Sequence, residues 1–142
     1  KLQALLRSLA DALLPWQDAG GMFYQVVDRG DAPGNYLETS GTALVAYALL
    51  KAVRLGYLPS KYRPFAEHAF FGTTDRYLTR GEDGALRLGG ICLVAGLGGP
   101  QHRDGSLTYY FSEPVVENEA KGVAPLLLAC TELLRLQKEG ML

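Results

Sequence analysis

Several things are scarce in this chain, and each scarcity excludes a class of protein. Positive charge is not in excess: 14 Lys and Arg stand against 15 Asp and Glu in 142 residues, a net charge of −1. Such a balance does not neutralise runs of phosphate, so nucleic acid is not an expected partner. Long apolar runs are missing. The longest, Ala43–Leu50, is eight residues, against the roughly 20 that a membrane helix needs, and no membrane partner is expected. No apolar secretory segment stands at the start of the sequence. Cysteine is limited to Cys92 and Cys130, both among apolar neighbours. They read as buried thiols rather than a disulfide framework and fit a reducing, cytoplasmic setting. Histidine is limited to His68 and His102, and no Cys, His and acidic set has metal-ligand spacing. Gly-x-Ser-x-Gly and the phosphate-binding Gly-x4-Gly-Lys-[Ser/Thr] are both lacking. Gly96-Leu97-Gly98-Gly99 is followed by Pro100 and lacks the later glycine of a dinucleotide fingerprint.

Glycine, by contrast, is abundant: 17 of 142 residues, about 12% against a usual value near 7%. These glycines fall between helical segments, without a fixed period, and point to long shaped loops. The size fits a single domain, residues 1–142. The chain opens inside a helical pattern at Lys1, which reads as a piece of a longer protein.

Leu2, Leu5, Leu6, Leu9 and Leu13 follow helical spacing, and Pro15 ends that helix. Met22–Val27 reads as a short strand and 28–34 as a loop. A second helix is predicted over about 36–55, capped by Asn35, with Gly56 at its C′ position and Pro59 beyond. It is apolar nearly all round, so it should be buried on most sides. Ser60 reads as the cap of a third helix over 61–79, with Tyr62, Phe65, Ala66, Ala69, Phe70, Thr73 and Tyr77 as its inner stripe. Strand-like pieces follow at 85–88 and 91–94, and 106–111 reads as extended. A last helix is predicted over 122–136, with Pro125 in its first turn. Buried helices alternating with amphipathic ones, joined by long loops, are the habit of α/α barrels and helical solenoids.

Among polar residues, Glu38-Thr39-Ser40 and Glu117-Asn118-Glu119 stand at the starts of the two buried helices. Carboxylates there either cap the helix and pair with its dipole or line a cleft at the helix N-terminal ends. Phe23, Tyr24, Tyr36, Tyr109, Tyr110 and Phe111 cluster beside these turns, with Gln25, Asn35, Ser40 and Ser112 among them. Such a mixture can stack on sugar rings and bond their hydroxyls, or form ordinary core. His102, in the loop 100–105, either borders a cleft or belongs to a plain surface loop.

Read in order, Gly21–Asp28, Gly34–Ala43, Lys51–Leu58, Ala95–Gly98, Arg103–Ser106, Tyr109–Pro114 and Glu117–Val123 resemble the unsaturated glucuronyl and rhamnogalacturonyl hydrolases, glycoside hydrolase families 88 and 105. The likeness runs over nearly the whole chain and is closer to the rhamnogalacturonyl branch. Phe23 stands where that family usually has Trp, and Glu119 where it usually has Asp. The resemblance covers only the C-terminal part of the family's (α/α)6 barrel. It implies a mainly α chain forming a partial barrel, with short strands in its loops. It further implies removal of a 4,5-unsaturated uronic acid from pectin (rhamnogalacturonan) oligosaccharides by hydration of the enol-ether double bond, without a metal or cofactor. The family's catalytic aspartate lies upstream of anything matched here. No catalytic residue is therefore assigned, and the isolated chain is expected to be inactive. Gln25, Tyr36, Glu38, Ser40, Tyr110 and Lys121 are the residues expected to line the cleft, with Lys121 the candidate to meet a uronate carboxylate. The expected ligand is an unsaturated uronyl oligosaccharide. Competing readings are a helical domain that self-associates as a homodimer or pairs with a missing N-terminal half, and a non-catalytic sugar-binding module.

Overall fold

The computed structural model of the chain describes residues 1–140. Helix α1 (Leu2–Leu13) is followed by a 3-10 turn, Leu14–Trp16, where Pro15 stops the helix. Strands β1 (Phe23–Tyr24) and β2 (Leu37–Glu38) pair antiparallel and lead into α2 (Thr39–Arg54). A second 3-10 turn, Ser60–Tyr62, precedes α3 (Arg63–Tyr77). Then come β3 (Leu78–Arg80), β4 (Leu86–Leu88), β5 (Ile91–Cys92), α4 (Leu107–Ser112), β6 (Val115–Val116) and α5 (Ala120–Lys138). β3 pairs with β4 and β5 with β6, both antiparallel.

Helix α2 is the centre. It packs against α3 on one side and α5 on the other. Small residues let the three backbones approach: Ala46, Ala66, Ala69 and Ala129 are all fully buried. Leu49, Leu50, Val53, Tyr62 and Leu136 fill the space they leave. A second cluster, Ala43, Leu88, Ile91 and Leu126, ties the strands to the same helices. Gly122 is required there, because a Cβ would stand 2.5 Å from the Ile91 side chain.

The C-terminus of α2 is as predicted. Gly56 has φ +70°, its N–H bonds the Val53 carbonyl at 3.0 Å, and the Tyr57 N–H bonds that of Ala52 at 2.8 Å. This is a Schellman cap. The N-terminus differs from expectation. Residues 37 and 38 pair with β1, so α2 starts at Thr39 and Glu38, not Asn35, is its cap. Asn35 instead clamps its own loop: Oδ1 accepts from the amides of Val26 and Tyr36, and Nδ2 donates to the carbonyls of Val26 and Arg29.

Other boundaries shift for physical reasons. The strand expected over 22–27 shortens to two residues, and the helix expected over 61–79 gives its last residues to β3. Ser60 lies in the 3-10 turn and caps nothing. Phe65, placed on the inner stripe, is 42% exposed. Residues 107–112 are helical, not extended, because the Ser106 hydroxyl caps the Tyr109 N–H at 3.1 Å. Helix α5 begins at Ala120, so Pro125 lies inside it rather than in its first turn. Helix α2 keeps one open face, between its contacts with α3 and α5: Leu44 is 53% exposed. Cys130 is only partly buried, whereas Cys92 is buried.

Candidate functional site

The first turn of α2 gathers bonds from three parts of the chain. Glu38, buried at the end of β2, receives four donors. Its Oε1 accepts from the Ser40 amide (3.0 Å), the Ser40 hydroxyl (2.8 Å) and the Cys92 amide (3.1 Å), and its Oε2 accepts from the Gly41 amide (2.6 Å). The carboxylate thus satisfies helix N–H groups that have no intrahelical partner. Thr39 holds the opposite side of the turn, donating its amide to the Gly90 carbonyl (2.8 Å) and its hydroxyl to that of Gly89 (2.7 Å). Tyr77 donates to the Leu37 carbonyl at 3.0 Å.

Strand β5 continues the site. The Gln25 amide donates to the Cys92 thiol at 3.3 Å, and the thiol donates to the Val94 carbonyl at 3.1 Å. The Tyr36 hydroxyl is shielded from solvent and lies against the same sulfur. Burial first, then the Cys92 thiol and the Glu38 charge, push that hydroxyl well above its ordinary pKa, so it remains a neutral donor. One residue along, the Leu93 carbonyl accepts from the Lys121 ammonium. Glu119 caps α5 by accepting the Lys121 amide at 2.7 Å, as Glu38 caps α2.

Of the six residues expected in a cleft, Gln25, Tyr36 and Glu38 therefore meet around Cys92, Ser40 is bonded to Glu38, and Lys121 reaches the neighbouring Leu93. Gln25, Glu38 and Ser40 line a cavity of about 230 Å³ with Phe23 and Tyr24. Tyr110 is placed by α4, its ring 5.1 Å from that of Tyr109. Cys92 is the organising residue that sequence reasoning treated only as an apolar thiol. No spacing rule marks it, since its partners lie 54 and 67 residues away. Among the described residues, no group of three His, Cys, Asp or Glu could hold a metal ion. No helix among them is long and apolar enough to cross a membrane.

Residues 1–137 match Glycosyl Hydrolase Family 88. The chain is 41% identical over 144 aligned positions to Protein Atu3128 of Agrobacterium fabrum, covering 97% of this chain and 62% of that protein. The same figures hold for the 24.9 kDa protein in picA locus of Rhizobium radiobacter. In structure it is similar to a C. acetobutylicum glycoside hydrolase from family 105, with a TM-score of 0.91 and 48% identity over 95% of this chain and 38% of that one. A Klebsiella pneumoniae protein described as a possible member of the GH105 family gives a TM-score of 0.75 and 30% identity, over 94% and 31%. The chain thus spans less than two thirds of each of these relatives. It belongs to glycosyl hydrolase family 88, and its helices form part of an (α/α)6 barrel.

Proposed function

We propose that this chain is the C-terminal portion of an enzyme that removes a 4,5-unsaturated uronic acid from pectin (rhamnogalacturonan) oligosaccharides. The observation that carries the reading is the family match over residues 1–137. An aspartate, upstream of the matched region, would act as general acid and base. It protonates C4 of the enol ether and takes a proton from water adding at C5. The resulting hemiketal opens and releases the neighbouring sugar.

In this reading the present chain supplies a wall of the cleft. Gln25 and Ser40 offer neutral hydrogen bonds to the sugar, Tyr36 backs this wall from its shielded place against Cys92, Glu38 fixes the Ser40 hydroxyl, Tyr110 offers a stacking face, and Lys121 meets the uronate carboxylate. The thiol of Cys92, hydrogen-bonded on both sides, suits a reducing, cytoplasmic setting. Unsaturated galacturonyl-rhamnose absorbs ultraviolet light through its conjugated double bond, and hydration bleaches it. The folded chain alone should bind this disaccharide without bleaching it. Absence of binding at millimolar ligand overturns the reading. Enzyme-dependent bleaching would instead put an acid/base group within this chain, with Glu38, Glu117 and Glu119 the first to test.

A second reading is favoured by one observation. Leu2, Leu5 and Leu9 of α1 are 81%, 59% and 57% exposed, beside an apolar cavity of about 270 Å³ that α1 shares with Leu44, Val45 and Ala48 of α2. Such a face favours self-association into a homodimer or pairing with an N-terminal half. Light scattering tests this, and a monodisperse monomer at high concentration argues against the homodimer.

A further inference from the structure

A cavity of about 420 Å³ opens behind the β1–β2 pair, between α3 and the loop 18–22 that leads into β1. The cleft wall described above does not use it. Helical spacing sets His68, Phe71, Gly72 and Asp75 on one stripe of α3, and all four line the cavity together with Asp18 and Arg76. The loop is held firmly. The Asp18 amide donates to the Met22 carbonyl at 2.8 Å, and the Met22 amide donates to Asp18 Oδ1 at 2.7 Å. Gln17 Nε2 donates to the carbonyls of Gly21 (2.7 Å) and Phe65 (2.9 Å), which ties the loop to α3. Bare backbone closes the joint: a side chain on Gly72 would collide with the Gly20 carbonyl oxygen, and one on Gly21 with that of His68. Met22 and Leu37, both buried, form the floor. Their sequence neighbours Phe23 and Glu38 line the cleft cavity instead, since side chains of extended backbone alternate between faces. One hairpin thus separates two cavities, and an occupant of this one leaves the cleft open.

Chemistry decides which ligand. Phe71 is 52% exposed, yet its ring is braced by Phe70, with centroids 5.4 Å apart and planes at 81°. A fixed, exposed aromatic ring is a platform for the apolar face of a ligand. His68 stands one turn before it and Asp75 one turn after it, so polar groups flank the platform at both ends. Asp18 has Oδ1 engaged by the Met22 amide and Oδ2 to offer. Two carboxylates therefore share the cavity with one guanidinium, that of Arg76, which lies over the Tyr77 ring at 5.4 Å. That balance gives a uronate or a phosphate nothing to be drawn by. Arg76 in turn opposes an organic cation, and among the described residues no group of three His, Cys, Asp or Glu could hold a metal ion. The chemistry that fits is an uncharged ligand with an apolar face and hydroxyls around its edge, which is a pyranose ring. The volume lies low in the range of ligand sites, roughly 300–1,000 Å³, and suits one ring rather than a chain.

We infer that this cavity is a second carbohydrate site, separate from the cleft, which holds one uncharged pyranose ring stacked on Phe71 and hydrogen-bonded at its edges by His68, Asp75 and Asp18. The inference does not rest on the uronide reading. The probe is methyl β-D-glucopyranoside, whose equatorial hydroxyls leave C–H bonds on both ring faces. D-glucuronate is the same ring carrying a carboxylate, and cyclohexanol is a ring of similar size with a single hydroxyl. Each is titrated into the isotope-labelled 142-residue chain and followed by backbone amide resonances. The glycoside should shift the amides of residues 18–22 and 68–76 saturably at millimolar concentration. Glucuronate and cyclohexanol at equal concentration should leave those amides in place. Phe71→Ala should weaken the glycoside about fivefold, as loss of a stacking face requires, with the amides of α2 and α5 unmoved. Should that variant unfold, Asp75→Ala, at an exposed position of α3, should weaken the glycoside about tenfold in its place. Absence of a saturable shift at 18–22 and 68–76 overturns the inference, as do equal shifts with glucuronate or with cyclohexanol. Shifts confined to residues 23–27 and 38–45 would put the glycoside in the cleft cavity and overturn it too.

Discussion

Glu38 accepts the amide proton of Cys92 at 3.1 Å, across 54 residues of chain. One carboxylate thereby joins the first turn of α2 to strand β5 and places the cavity-lining Ser40 hydroxyl between them. Glu38→Ala would leave the Ser40, Gly41 and Cys92 amides without this acceptor. A lost cap alone costs about 1 kcal/mol, and buried unsatisfied donors add to it. The expected loss is about 3 kcal/mol, read as a lower urea midpoint at unchanged slope. Glu38→Gln retains an acceptor and should lose less. Equal stability of Glu38→Ala and the wild type would show that water replaces the carboxylate at no cost.

The ion pairs of Glu132, one to Arg54 of α2 and one to Arg135 of its own helix α5, make a second prediction. Glu132 is 1% exposed, with Arg54 Nε at 2.6 Å on one oxygen and Arg135 Nη1 at 2.7 Å on the other. Burial opposes its charge, but the two guanidinium groups outweigh burial and hold its pKa below the ordinary 4.5. A depressed carboxylate pKa stabilises the fold above the unfolded value, and that stability is lost as pH falls through the folded one. Thermal melts should therefore weaken progressively below about pH 4.5. Glu132→Gln should be less stable at neutral pH and should show a flatter acid limb. Glu132→Ala should cost about 3 kcal/mol at neutral pH, since one partner of a buried pair is removed. A Glu132→Gln acid limb as steep as that of the wild type would exclude this carboxylate as its source.

Glycines supply a paired test of two kinds of constraint. Gly21 has φ +93°, and a Cβ there would stand 2.2 Å from the His68 carbonyl oxygen of α3. Gly56 has φ +70° with nothing within 4 Å. Gly56→Ala should cost only the left-handed conformation, about 1 kcal/mol. Gly21→Ala adds a backbone collision and should cost clearly more. The order of the two melting temperatures checks this, and reversal would mean that the loop before β1 can move away from α3.

These cases show which parts of the structure are legible in the sequence. Gly56 followed by Pro59 announces the end of α2, because a Schellman cap is a local event with a residue-type signature. The start of α2 is less legible. Asn35 and Glu38 are both able caps, and pairing of β2 with β1, a tertiary event, decides between them. The same holds for 107–112, where aromatic residues favour a strand but the Ser106 hydroxyl caps a helix. Glu132 is the hardest case. A glutamate among leucines on α5 reads as surface, and only the approach of Arg54, 78 residues distant, makes its burial tolerable. In the candidate site, Glu38 and Ser40 are legible as polar first-turn residues of a buried helix. Cys92 is not, since its role exists only once β5 lies beside that turn.

Lys121 and Ser40 divide the proposed uronide contact into charge and hydrogen bonding. The Lys121 ammonium already donates to the Leu93 carbonyl, yet an ammonium carries three donors, so two remain for a carboxylate. Lys121→Ala should weaken unsaturated galacturonyl-rhamnose about tenfold or more and abolish most of the salt dependence of binding. Ser40→Ala should weaken it by less, because its hydroxyl is shared with Glu38 at 2.8 Å, and should leave the salt dependence intact. Isothermal titration at two ionic strengths separates the two effects. A Lys121→Ala protein that binds with unchanged affinity and unchanged salt dependence removes this residue from the site. The carboxylate would then have to be met by another cation.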